Sequence, residues 1–162
     1  MKYQLVVCLV LLTGWPCYGQ LLVDNYDPNI HDRFDGDREG QQFVGEGLDF
    51  SGVSRDIRNV GRWVTMVSPL HFLTSNHAVA SQTVIFHLDN DRDGPTIECA
   101  IDHGSGRRIG TSDVLIGMVV PTEECDTSLV RQYSIASPGN YQGDTVVAVG
   151  GSRWMGSTNN NL

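Results

Sequence analysis

The sequence predicts an all-β fold. Short runs rich in Val, Ile, Thr and Phe recur from Phe50 onward, and clusters of Gly, Asp, Asn and Pro separate them. No segment sustains the apolar period of a helix. That texture belongs to an antiparallel barrel or sandwich rather than to a helical bundle.

The first residues stand outside this pattern. Lys2 gives a short positive start, Leu5 to Leu12 is an uncharged apolar run, and Trp15-Pro16 break it. Cys17-Tyr18-Gly19 then offers small residues where a signal peptidase needs them. Residues 1–19 are therefore expected to be a secretory signal peptide, and their apolar run is too short to span a bilayer. Cleavage after Gly19 leaves 143 residues, enough for one domain with a core but short for two barrels. Residues 20–49 are polar and rich in Asp and Gly, so they read as an irregular N-terminal extension, only partly ordered.

The strand-like runs follow in order. They are Trp63 to Val67, Phe72 to Ser75, Val79 to Leu88, Thr96 to Ile101, Val114 to Val120 and Thr145 to Val149. Ser75 to Ala80 has room for one helical turn. Residues 121–144 hold Pro121, Pro138, Gly139 and Gly143, with a strand signal only at Tyr133 to Ile135. This divides the chain into a first β-unit at 50–130, a connection at 131–144 and the opening of a second unit at 145–162. The polar close Asn159-Asn160-Asn161-Leu162 is not a convincing domain end, so the chain is expected to continue beyond it.

Charge and cysteines narrow the setting. After the signal the chain carries ten arginines against nineteen acidic residues, a net charge of −9. Such a chain is a poor match for nucleic acid or an anionic membrane surface. It suits a secreted protein, extracellular or periplasmic. Cys99 and Cys125 are the only cysteines left after cleavage, and an even pair in an exported chain predicts a disulfide.

Two segments carry chemistry. Trp63-Val64-Thr65-Met66-Val67-Ser68-Pro69-Leu70-His71-Phe72-Leu73-Thr74-Ser75-Asn76-His77-Ala78 reads as strand, turn and strand, with His77 where the second strand stops. A histidine at an exposed strand end can act as a general base. Thr111-Ser112-Asp113-Val114-Leu115-Ile116-Gly117 places a carboxylate directly before a continuous apolar strand. A carboxylate at the rim of a core would be partly desolvated and would need a partner such as an imidazole N–H. Asp113 lies 36 residues beyond His77, room for a hairpin and a return. Asp102 is the second-choice carboxylate, beside His103 in a polar turn.

Together these segments resemble the first half of the trypsin-like, chymotrypsin-fold serine peptidases. In that family a Thr-Ala-Ala-His-Cys strand end carries the base and an Asp-Ile-Ala-Leu-like strand carries the orienting acid. Here they read Leu73-Thr74-Ser75-Asn76-His77-Ala78 and Ser112-Asp113-Val114-Leu115-Ile116-Gly117. The stretches 29–34 and 50–53 are similar to the N-terminal region of exported bacterial proteins of this type. The resemblance implies a double β-barrel, with the first barrel and only the start of the second present. It implies a serine endopeptidase acting on protein or peptide substrates through a Ser-His-Asp triad, with no cofactor. His77 would be the base and Asp113 its orienting acid.

The departures matter equally. Ala78 stands where a cysteine usually follows the histidine, and no Gly-Asp-Ser-Gly-Gly occurs in the 162 residues. Gly150-Gly151-Ser152 lacks the following glycine and reads as a loop. The nucleophile is thus expected beyond Leu162, and this chain alone would be inactive. The alternative is a non-catalytic secreted or cell-surface binding protein with a pseudo-peptidase β-fold. Asp89-Asn90-Asp91-Arg92-Asp93-Gly94 matches the opening of a calcium loop, which would suit an adhesion domain. Ala100 replaces the closing glutamate, so Asp89, Asp91 and Asp93 read better as a solvated hairpin turn. His71 and His87 read as strand-end or surface residues, and no zinc spacing is present.

Overall fold

Val53–Asp56 (β1), Trp63–Met66 (β2), His71–Ser75 (β3), Thr83–His87 (β4), Thr96–Arg108 (β5) and Val114–Val119 (β6) form a closed antiparallel barrel in the computed structural model. The structure describes residues 27–34, 40–59, 61–80 and 82–139. The expected signal peptide and the expected opening of a second barrel at 145–162 lie outside them. Helix is confined, among the described residues, to one turn at Pro28–His31 (α1) and a 3-10 turn at Thr127–Leu129.

The strand order around the barrel is β1-β2-β3-β6-β5-β4, and β1 closes on β4. Two hairpin-linked triplets therefore meet along the β3–β6 seam. Alternation builds the core. Val64 and Met66, Phe72, Val84 and Phe86, and Ile97, Cys99 and Ile101 point inward from successive strands, while the residues between them are more exposed. Within this cluster Cys99 and Cys125 form the expected disulfide, tying β5 to the segment after β6.

Several boundaries differ from the sequence expectations. β4 starts at Thr83 rather than Val79, because Ala80 is buried in a loop and the Val79 carbonyl accepts from Arg62 Nη1 at 2.9 Å. No helical turn forms at Ser75 to Ala80. The Asn76 and His77 N–H groups are bonded to Asp113 instead. β5 runs past Ile101 to Arg108. Between Asp102 and Arg107 it bulges, and Met118 N donates to Ser105 Oγ at 2.8 Å across the interruption. Tyr133 to Ile135 is not a strand, although Tyr133 N donates to the Met66 carbonyl at 2.9 Å. β1 gave no run in the sequence, since Ser54 and Arg55 break its apolar character. The Ser54 hydroxyl is satisfied by the Ile85 carbonyl on β4.

The segments flanking the barrel are fastened to it by polar groups. Arg33 is buried and donates to the carbonyls of Phe50 (3.1 Å), His87 (3.0 Å) and Asp89 (2.8 Å) and to Asn90 Oδ1 (2.9 Å). Its guanidinium lies 4.8 Å from the Phe34 ring centroid and 5.7 Å from that of Phe50. On another side, Ser51 Oγ donates to Asp49 and accepts from Arg131 N at 2.8 Å, and Tyr133 Oη donates to the Asp49 carbonyl. Gly52 is required there. A Cβ at that position would sit 1.8 Å from the Arg131 carbonyl oxygen.

Two outcomes follow. Replacing both Cys99 and Cys125 with Ala removes a crosslink spanning 26 residues and should cost about 3 kcal/mol, read from urea unfolding. The second concerns His87, which is buried against Phe34, with ring centroids 4.5 Å apart and Nδ1 unpartnered among the described residues. Burial, then the nearby Arg33 and Arg55, hold its pKa below the usual histidine value. The unfolded chain therefore takes up this proton first, and stability should fall as pH drops from about 6.5 toward the lower folded value. His87→Gln should flatten that part of the stability–pH curve. An unchanged slope would show that His87 does not titrate with unfolding.

Candidate active site

The site begins with strand register. β3 and β6 pair antiparallel from His71 opposite Met118 to Ser75 opposite Val114. The next step outward sets Asn76 beside Asp113, and Asn76 N donates to the Asp113 carbonyl at 2.7 Å. One residue further, His77 N donates to Asp113 Oδ1 at 3.0 Å. The His77 ring then turns Nδ1 onto Asp113 Oδ2. Both carboxylate oxygens are thus engaged by one residue, through its backbone and its ring.

An ionised carboxylate only accepts hydrogen bonds. Asp113 has its pKa held below the usual value, first by the side-chain hydrogen bond from His77 and also by the His77 N–H and charge and by Arg108. Nδ1 therefore carries the proton, and in the neutral ring Nε2 holds the lone pair. This is the tautomer a general base needs.

The pair is open to solvent. The His77 side chain is 75% exposed and that of Asp113 52%. Asp113 is therefore more exposed than a core-rim position implies, and the His77 hydrogen bond, which lowers its pKa, outweighs the desolvation it retains, which raises it. Asp113 sits one residue before β6, above the level at which side chains enter the core.

Asp113 is presented by a tight loop between β5 and β6. Ile109 N donates to the Val114 carbonyl at 2.8 Å, and Ser112 Oγ donates to the Ile109 carbonyl at 2.6 Å. Gly110 adopts φ +56, a conformation a side chain would strain. Arg108 reaches back over this loop, with Nε donating to the Ser112 carbonyl and Nη2 to that of Thr111, each at 2.6 Å. Arg108 drew no attention in the sequence, because an arginine three and four residues before two backbone acceptors has no motif.

The remaining expected residues lie elsewhere. Asp102 pairs with Met118, at the far end of the seam from Val114, and its carboxylate accepts from Gly104 N at 2.9 Å. His71 shares a hydrogen bond with Ser68 Oγ at 2.8 Å. His87 ends β4 as expected but is buried, not on the surface. In the β4–β5 connection, Asp89 Oδ1 accepts from Asp91 N and Asp91 Oδ1 from Asp93 N, both at 3.0 Å. Those carboxylates shape a turn, and no group of three or more His, Cys, Asp or Glu able to hold a metal gathers among the described residues. Ser152, read from the sequence as part of a loop, lies outside the described residues. No family model, curated protein or solved structure matches this chain.

The electrostatics of the pair can be measured directly. In a carbon-detected NMR titration the Asp113 carboxyl should protonate below about pH 3.9, the ordinary aspartate value. His77→Ala should move that midpoint upward. A wild-type midpoint at or above the ordinary value would mean that the pair does not persist in solution.

Proposed function

We propose that this chain is the base-bearing first barrel of an exported, trypsin-like serine endopeptidase with a chymotrypsin-like fold. The observation that carries the reading is the double grip of His77 on Asp113 at the open end of the β3–β6 seam. The closed six-stranded barrel is consistent with it, as is the disulfide, which suits an oxidising compartment outside the cell.

In the proposed reaction His77 Nε2 takes the proton from a serine hydroxyl as its oxygen bonds to the scissile carbonyl carbon. Asp113 keeps Nδ1–H in place and stabilises the imidazolium. His77 then gives the proton to the departing amine as the C–N bond breaks. Water repeats the sequence on the acyl-enzyme, its proton passing through His77 back to the serine. The serine and the oxyanion donors are not assigned to any residue of this sequence, which contains no Gly-Asp-Ser-Gly-Gly. His77 and Asp113 supply the proton-handling half of the machinery, and the substrate is protein or peptide.

The test is fluorophosphonate labelling of the protein isolated from the cells that secrete it. The wild type should carry one adduct on a serine. His77→Ala should abolish labelling, and Asp113→Asn should slow it by about 10⁴-fold. An unlabelled wild type, or labelling that survives His77→Ala unchanged, would overturn the reading and favour a non-catalytic binding protein.

A further inference from the structure

We infer that Arg108 is a positioning residue that locks the backbone of Asp113 so that its carboxylate meets His77. The inference concerns the geometry of the pair, and its catalytic consequence rests on the peptidase reading above.

The Nε–H and Nη2–H of an arginine lie on one edge of a planar group and point the same way. Arg108 directs this edge at two consecutive carbonyls, Thr111 and Ser112, with both contacts at 2.6 Å. Neighbouring carbonyls on one side of a chain repel, since their dipoles are nearly parallel. A cation bridging both oxygens offsets that repulsion and holds the turn. A lysine ammonium is a point charge and cannot reproduce the fork.

The consequence reaches Asp113 through covalent geometry. The Ser112 carbonyl and the Asp113 nitrogen belong to one planar peptide unit, so Arg108 fixes the plane that enters Asp113. The Asp113 carbonyl belongs to the next plane, and Asn76 N holds that one at 2.7 Å from β3. Both soft dihedrals of Asp113 are thereby pinned, one plane from each side. Only the side-chain torsions stay free, and the two His77 donors set them. Without Arg108 the entering plane would depend on the contacts of Ser112 with the Ile109 carbonyl, from its hydroxyl at 2.6 Å and its N–H at 3.2 Å. Gly110, at φ +56, lets the loop relax in that case.

The experiment compares wild type, Arg108→Lys and Arg108→Ala by NMR, using the spectrum of backbone amides to confirm that the barrel is intact. The rate at which the His77 Nδ1 proton exchanges with water reports how often the pair opens. It should rise at least about tenfold in both variants, because neither has the fork. The Asp113 carboxyl midpoint should rise in Arg108→Ala and recover in part in Arg108→Lys, which restores charge without geometry. Exchange within about twofold of wild type in Arg108→Ala would overturn the inference. In the secreted enzyme the same variant should lower kcat by about 10²-fold with KM little changed. A secreted protein that hydrolyses nothing would sink the peptidase reading while the NMR result still judges Arg108.

Discussion

The register of β3 against β6 is the constraint on which the rest of this structure depends. These strands are far apart in sequence and come from different hairpin triplets. Their pairing closes the barrel on one side and sets Ser75 opposite Val114 at its rim. A slip of one residue would turn Phe72 and Val119 from core to solvent, so burial of those side chains enforces the alignment. The same alignment delivers Asn76 and His77 to Asp113. Stability and site geometry are thus fixed by one set of contacts. The ladder brings His77 and Asp113 together, and the Arg108 contacts with the loop before Asp113 complete the scaffold.

Fastening of the flanking segments follows a different logic. The barrel interior is apolar, but the segments that wrap it are held through buried polar groups. Arg33 spends its donors on carbonyls from β4 and the turn after it, as well as on Phe50. Those carbonyls belong to the last paired residue of β4 and to the turn that follows it. A buried guanidinium is costly unless its hydrogen bonds are met, and here the loop carbonyls meet them. Near β2 the Asp49, Ser51, Arg131 and Tyr133 contacts hold the chain leaving the barrel against the chain entering it. The N-terminal extension looked irregular in sequence because its order comes from these few polar anchors and from Phe43 and Phe50, not from a repeating pattern.

What the sequence made legible was the part governed by local alternation. Val64 and Met66, Phe72 and Thr74, and Val84 and Phe86 alternate cleanly, and their strands were expected within a few residues of where they lie. The second half of β5 was not legible. Residues 102–108 face outward around a bulge, so no burial period marks them, and Gly104 and Gly106 suggest a turn. Position at a strand end brought His77 and Asp113 to notice, and the hydrogen bonds between them follow from a pairing that sequence spacing alone cannot give. Asp113 is more exposed than its strand-end position implies, because it precedes β6 and side chains of that strand become buried only further along. Arg108 escaped notice because its role is with backbone carbonyls, which carry no sequence signature.

The exposure of the pair bears on how it is built. In water an imidazole–carboxylate contact gains little from charge attraction, because solvent screens it and side-chain entropy opposes it. A pair that relied on attraction alone would be loose at this exposure. Here the order comes mostly from backbone: the Asp113 carbonyl is held by Asn76 N–H, its carboxylate by His77 N–H, and the peptide plane before it by Arg108. The two N–H groups are already ordered by the barrel, so directing them at Asp113 costs little additional entropy, whereas Arg108 gives up side-chain freedom to hold its plane. Geometry set in this way does not require the site to be dry. Any surface that later excludes water, a bound peptide chain included, would strengthen a contact already in place rather than create one. On the proposed peptidase reading, this preorganisation would keep Nδ1 protonated toward Asp113 and Nε2 free to act as a base before substrate arrives.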